Sequence, residues 1–212
     1  GDVRVVVHRE GPAADLALLA GLCAGGCALG PAPVPIAVYD FGIETPKRVP
    51  VRLQASLALD EVSAPSALQS SAIVYRLAYR DGAQVQPYSR ARWAAPPAAL
   101  IHQRLRQAFG DSAQRGVSAL SDGVRSAFIL RVELDSFVQV IESPDAARGI
   151  VRMRAGLIDA GERSLRAQRT FEAERAAPSV DAPGAVRALS AATDAIIAEL
   201  IEWTARETQT AR

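Results

Sequence analysis

The sequence is poor in the side chains on which most enzyme chemistry depends. Of 212 residues two are histidine (His8, His102), two are cysteine (Cys23, Cys27), and 5% are aromatic. His8 and both cysteines fall at the very start, so the rest of the chain holds one imidazole and no thiol. A His/Cys zinc site needs three or four ligands, which that remainder cannot supply. A cysteine nucleophile is missing there, and a Ser–His–Asp triad could use only His102. No GxGxxG, Walker loop or HExxH occurs, and the carboxylates are scattered. The expectation is therefore a protein that is not an enzyme and holds no metal or other cofactor. Lysine is all but absent, Lys47 being the only one, and 24 basic residues balance 23 acidic ones to a net +1. That balance gives no reason to expect nucleic acid as a partner. No uncharged apolar run reaches the roughly 18 residues of a spanning helix, which argues against a polytopic membrane protein. What is present in quantity is apolar residue, 49%, enough for a packed core.

The first apolar stretch has the length of a signal-peptide core. Leu16 through Leu22 is uncharged and rich in Ala and Leu, and small residues Ala24, Gly25 and Gly26 lead directly to Cys27. This order resembles a bacterial lipobox. The resemblance implies cleavage before Cys27 and a diacylglycerol on its sulfur. Leu22 at the cleavage position makes Cys23 the poorer candidate. After Cys27, Pro31, Pro33 and Pro35 mark a tether without helical or strand pattern. Residues 1–26 are thus read as a signal peptide and 27–35 as lipidated cysteine plus tether. Asp2, Glu10 and Asp15 depart from the usual positive leader start, so the true translation start is not fixed by the sequence. Ala28 after the cysteine, rather than Asp, implies by resemblance to enterobacterial sorting the periplasmic face of the outer membrane.

Beyond the tether the hydrophobic period alternates between two and 3.6. Residues 36–41 and 51–59 read as strands. Ile73, Tyr75, Leu77 and Tyr79 form a third, Asp81-Gly82 a two-residue hairpin turn, and residues 83–90 its return. Pro96-Pro97 open a helix with Ile101, Leu105, Ala108 and Phe109 on one face and Gly110 as its stop. Phe128, Leu130, Val132, Leu134, Val138 and Val140 alternate along a long strand, followed by strands at 151–157 and 165–171. A three-strand antiparallel meander connects these most simply. Asp181 and Pro183 start a last helix whose stripe runs Val186, Leu189, Thr193, Ile196, Ile197, Leu200, Ile201, with Asp194, Glu199 and Glu202 on its polar face. The expected fold is α+β: a single domain over 36–206 with a mostly antiparallel sheet covered on one face by two helices, then a tail, 207–212.

The segment Tyr88-Ser89-Arg90-Ala91-Arg92-Trp93-Ala94-Ala95-Pro96-Pro97, opening an amphipathic helix, resembles the Y-x-x-x-x-W-x-x-P-P box of ABC-type transport auxiliary lipoproteins of the paraquat-inducible protein C type. The tyrosine-rich stretch Tyr75–Tyr79, Leu134-Asp135-Ser136-Phe137 and an Ala-rich last helix ending in Trp203 add to the likeness, which covers roughly residues 36–204. It implies a non-catalytic accessory of an MCE-type ABC system for lipids or hydrophobic compounds. The implied partners are an MCE-domain substrate-binding protein and the ABC permease and ATPase, with a homo-oligomer left open. The alternative is an envelope lipoprotein that activates cell-wall synthases or assembles outer-membrane β-barrels. Trp93 reads as a core indole where strand meets helix. Arg92, because guanidinium groups are over-represented at interfaces, and Phe137, the aromatic on the second face of the long strand with Arg131, Glu133, Asp135 and Gln139, are the candidate partner-interface residues.

Overall fold

One strand organises the sheet. In the computed structural model, which describes residues 35–43 and 50–209, β6 (Phe128–Ser143) is flanked along its whole length on one side and by two separate strands on the other. The order of elements is β1 (Ala37–Tyr39), β2 (Leu57–Leu59), β3 (Ala72–Leu77), β4 (Asp81–Trp93), α1 (Pro97–Ser112), β5 (Val117–Ala119), β6, β7 (Ala146–Asp159), β8 (Ser164–Ala176) and α2 (Ala182–Gln209). The leader, the lipobox with Cys27 and the tether up to Val34 lie outside the described residues.

The expected meander is present: β6–β7 and β7–β8 pair antiparallel over long ladders. Alternation builds it, since Leu130, Val132 and Leu134 oppose Leu157, Ala155 and Met153 on one buried face. On its other side β6 takes β2 in parallel at Phe128–Leu130 and β3 in parallel at Tyr75–Leu77 against Gln139–Ile141. β5 extends the first branch, and β4 then β1 the second, giving eight strands in one sheet. The two helices pack on the inner face as a single α+β domain. α1 contributes Ile101, Leu105 and Phe109, and α2 contributes Leu189, Ile196, Ile197 and Leu200. Trp203 closes the far end, its ring edge-on to Phe171 of β8 at 5.8 Å.

Six local expectations change. The hairpin turn lies at Ala78–Arg80, with Leu77 opposite Asp81 and Arg80 N bonded to Leu77 O. Asp81 opens β4, its carboxylate accepting from Ala83 N at 2.9 Å. Residues 51–59 are no continuous strand: Leu53 bridges to Ala113 beyond α1, and only Leu57–Leu59 joins the sheet, all three residues buried. Gly110 does not stop α1, which runs on to Ser112. Residues 117–119, unread from sequence, supply β5. The last helix carries through to Gln209, three residues into the segment read as a tail.

The sixth change matters most for function. Leu134 pairs with Met153 and Ser136 with Arg152, so Asp135 is an extra residue, a β-bulge. Before it the buried residues are even-numbered; after it Phe137 and Ile141 face the core. Alternation read straight through puts Phe137 on the open face, and the bulge turns it inward.

Asp181 caps α2: its Oδ1 accepts from Gly184 N at 2.7 Å and from the Ser179 hydroxyl at 2.6 Å. The Ser179 bond first, then the Gly184 amide and the Arg187 charge, hold its carboxyl below the ordinary carboxylate range, against a smaller effect of burial. Asp181→Ala should cost about 1 kcal/mol at pH 7. Because the folded-state pKa is depressed, the charge-dependent part is complete above the unfolded value, about 4, and is lost as pH falls through the folded one. Urea unfolding of wild type and variant should therefore converge in acid. A gap that stayed constant from pH 7 to pH 2 would contradict this.

Candidate functional site

β1 is an edge strand, and its shortness follows from its amide pattern. It pairs in parallel with β4 in the register Ala37↔Ala91, Val38↔Arg92, Tyr39↔Trp93. Ala94 N donates to Tyr39 O at 2.7 Å, so Tyr39, and by alternation Ala37, direct their backbone groups to β4. Upstream, Pro35 has that same parity and no N–H to give, so the ladder cannot extend past Ala37. Val38 turns its N–H and C=O away from β4, toward the open side.

Between this edge and α2 lies a groove of about 740 Å³. One wall is Tyr39 and Phe41, the other Pro183, Val186 and Ala191. Behind Phe41 the aromatic core continues into Trp93 at 5.6 Å and Phe137 at 6.2 Å. Val38, 52% exposed, and Ile43, fully exposed, put apolar surface on the rim beside Asp40 and Arg187. The groove also holds an ion pair. Arg104 of α1 donates through Nε and Nη2 to both carboxylate oxygens of Asp194 of α2, each at 2.9 Å. The Oγ of Ser190, also in the lining, is buried without a hydrogen-bond partner. Arg187 at the rim donates to the Ser179 hydroxyl at 3.2 Å, and its charge acts on Asp181.

A polar cluster sits inside the sheet near the start of α2. Tyr88 donates to Gln139 Oε1 at 2.5 Å, and its ring lies 4.7 Å from that of Tyr75. Burial, then the neighbouring Tyr75 and Asp181, pushes the Tyr88 phenol up to about 12, so it stays a neutral donor. On the helix-free face Arg154 reaches Glu133 and Asp135, Arg152 reaches Glu172, and Arg148 reaches Glu142 and Glu174. Across β6, β7 and β8 these charges answer one another.

Of the residues singled out from sequence, Trp93 is core, 1% exposed. Arg92 is exposed on the helix-free side, next to Val38 in register. Phe137 is corrected: it is 2% exposed and packs on Trp93, so no partner can reach it, and it lies on the opposite face from Arg92. Asp194 belongs to the helix–helix contact rather than to a solvated stripe. Sequence reasoning missed the groove because its parts come from β1, α1 and α2. The one available signal was Arg104 itself, a charge on the apolar side of α1. Among the described residues no group of three or more His, Cys, Asp or Glu side chains could hold a metal, and no helix is long and apolar enough to cross a membrane.

Residues 39–200 match the family described as the ABC-type transport auxiliary lipoprotein component. Among solved structures, a protein from Xanthomonas campestris is similar at 21% identity and a TM-score of 0.72, covering 82% of this chain and 97% of that one. An uncharacterized protein gives 17% identity and 0.60 over 81% and 99% of the two chains. A hypothetical protein from Chlamydia trachomatis gives 7% and 0.50 over 72% and 96%. At these identities the likeness is one of fold. No curated protein matches the sequence.

Proposed function

From the premise that the chain belongs to the ABC-type transport auxiliary lipoprotein component family, we propose that it is a non-catalytic docking subunit, lipid-anchored through Cys27 at the periplasmic face of the outer membrane. It serves an MCE-type ABC system that moves lipids or other hydrophobic compounds, and it binds the MCE-domain protein of that system. The observation that carries the docking role is the groove beside β1, where an open strand edge and exposed aliphatic side chains meet. Such a surface offers binding groups without a reacting centre. Acyl chains on the cysteine would add about 0.8 kcal/mol per buried CH₂, enough with two or more chains for stable anchoring.

The test has two arms. Cys27→Ala should move the protein from the membrane fraction to the soluble fraction, and unchanged retention would refute anchoring there. Affinity-tagged wild type, solubilised in mild detergent, should co-purify with the MCE-domain protein and the ABC permease and ATPase of the same cell. Recovery without any of them would refute the transport assignment.

A further inference from the structure

We propose that the groove binds an extended segment of a partner protein, which adds to the sheet as a strand beside β1 and carries apolar residues alternating with acidic ones. The proposal rests on the docking reading above and supplies its mode. Ala37 and Tyr39 spend their backbone groups on β4, whereas Val38 presents to the open side an N–H and C=O that no other described residue takes up. Only an extended backbone offers the complementary pair at strand spacing, about 4.8 Å away. An acyl chain has no such groups, and a helix has spent its own.

The sides of the added strand follow from register. Tyr39 and Trp93 are inner, so Val38 and its neighbour Arg92 are outer. Alternate side chains of the segment would enter the groove against Phe41 and Val186, which asks for apolar residues. The others would lie over Val38 on the outer side, toward Arg92 and Arg90. Both arginines are exposed, and neither has a carboxylate within ion-pair distance among the described residues. Arg131 of β6 and Arg148, Arg152 and Arg154 of β7 are paired with carboxylates, and Arg76 of β3 is engaged by the carbonyls of Gly82 and Ala83, so Arg92 and Arg90 bring unanswered charge to the edge where the strand would add. That complementarity selects Asp or Glu at the outer positions.

A phage-displayed library of linear dodecapeptides, panned on the full chain, is the probe. Enriched peptides should alternate apolar with acidic residues, and on binding should slow hydrogen exchange at the Val38 amide. Val38→Pro removes the outward donor and leaves the bonds of Ala37 and Tyr39 in place; it should weaken the selected peptides about tenfold, the worth of one hydrogen bond. Val38→Thr, which keeps the N–H, should stay within about twofold. Repanning on Arg92→Glu should exchange the acidic positions for basic ones, a result that survives even if the proline variant folds poorly. No enrichment, enrichment without alternation, or full-strength binding to a folded Val38→Pro would each overturn the proposal. Because the probe is synthetic, its failure is distinct from failure to co-purify with the MCE protein.

Discussion

Asp194→Ala should lower the unfolding free energy by about 3 kcal/mol, roughly twice the loss from Arg104→Met. The two partners are not equivalent. The Arg104 side chain is 7% exposed and that of Asp194 30%, so the guanidinium depends on the carboxylate more than the reverse. Removing Asp194 leaves a buried cation with both donors unanswered. Removing the charge of Arg104 leaves a carboxylate that water can reach, and methionine keeps the stem packed against the groove. Arg104→Met combined with Asp194→Leu should recover most of the loss, because apolar replacements of similar volume often match a buried pair. Urea denaturation of the three variants measures this. Equal losses from the two single variants, or a double variant as unstable as Asp194→Ala, would show that the pair is not held as described.

This ion pair marks the limit of what the sequence discloses. Periodicity located both helices and the three long strands, because their burial alternates over many residues and a local error averages out. It could not disclose a contact between positions 104 and 194, ninety residues apart, since the partner of a charge on an apolar stripe is chosen by tertiary packing. The bulge at Asp135 is a failure of another kind. One inserted residue reverses inside and outside for everything after it, and the composition around Leu134-Asp135-Ser136-Phe137 is equally compatible with either phase. Arg92, singled out for its guanidinium, lies exposed on the helix-free side. The groove's other half comes from an edge strand of three residues, too short for any period to register.

Glycines on α2's path allow the second large effect to be assigned a sign from space alone. Gly184→Ala should destabilise by about 2–4 kcal/mol and Gly149→Ala by about 1–3. A Cβ on Gly184 would overlap the carbonyl oxygen of Ser179 and stand 2.7 Å from its carbon. Both are backbone, so the loop itself must shift, and with it the Asp181 cap that binds Ser179 and Gly184. A Cβ on Gly149 of β7 would stand 2.9 Å from Ala188 Cβ and 2.9 Å from Leu189 N, which lifts α2 from the sheet. Helix propensity favours alanine at position 184 by about 1 kcal/mol and is outweighed. Gly110 in α1 is the control, because a Cβ there meets nothing within 4 Å. With sterics absent the propensity term alone remains, so Gly110→Ala should stabilise by up to about 1 kcal/mol. Thermal or urea unfolding of the three variants checks the order. Gain at Gly149 or at Gly184 would mean that α2 does not sit on β7 or on the 179–181 loop as closely as its glycines permit, and loss at Gly110 would mean that the outer face of α1 is not open there.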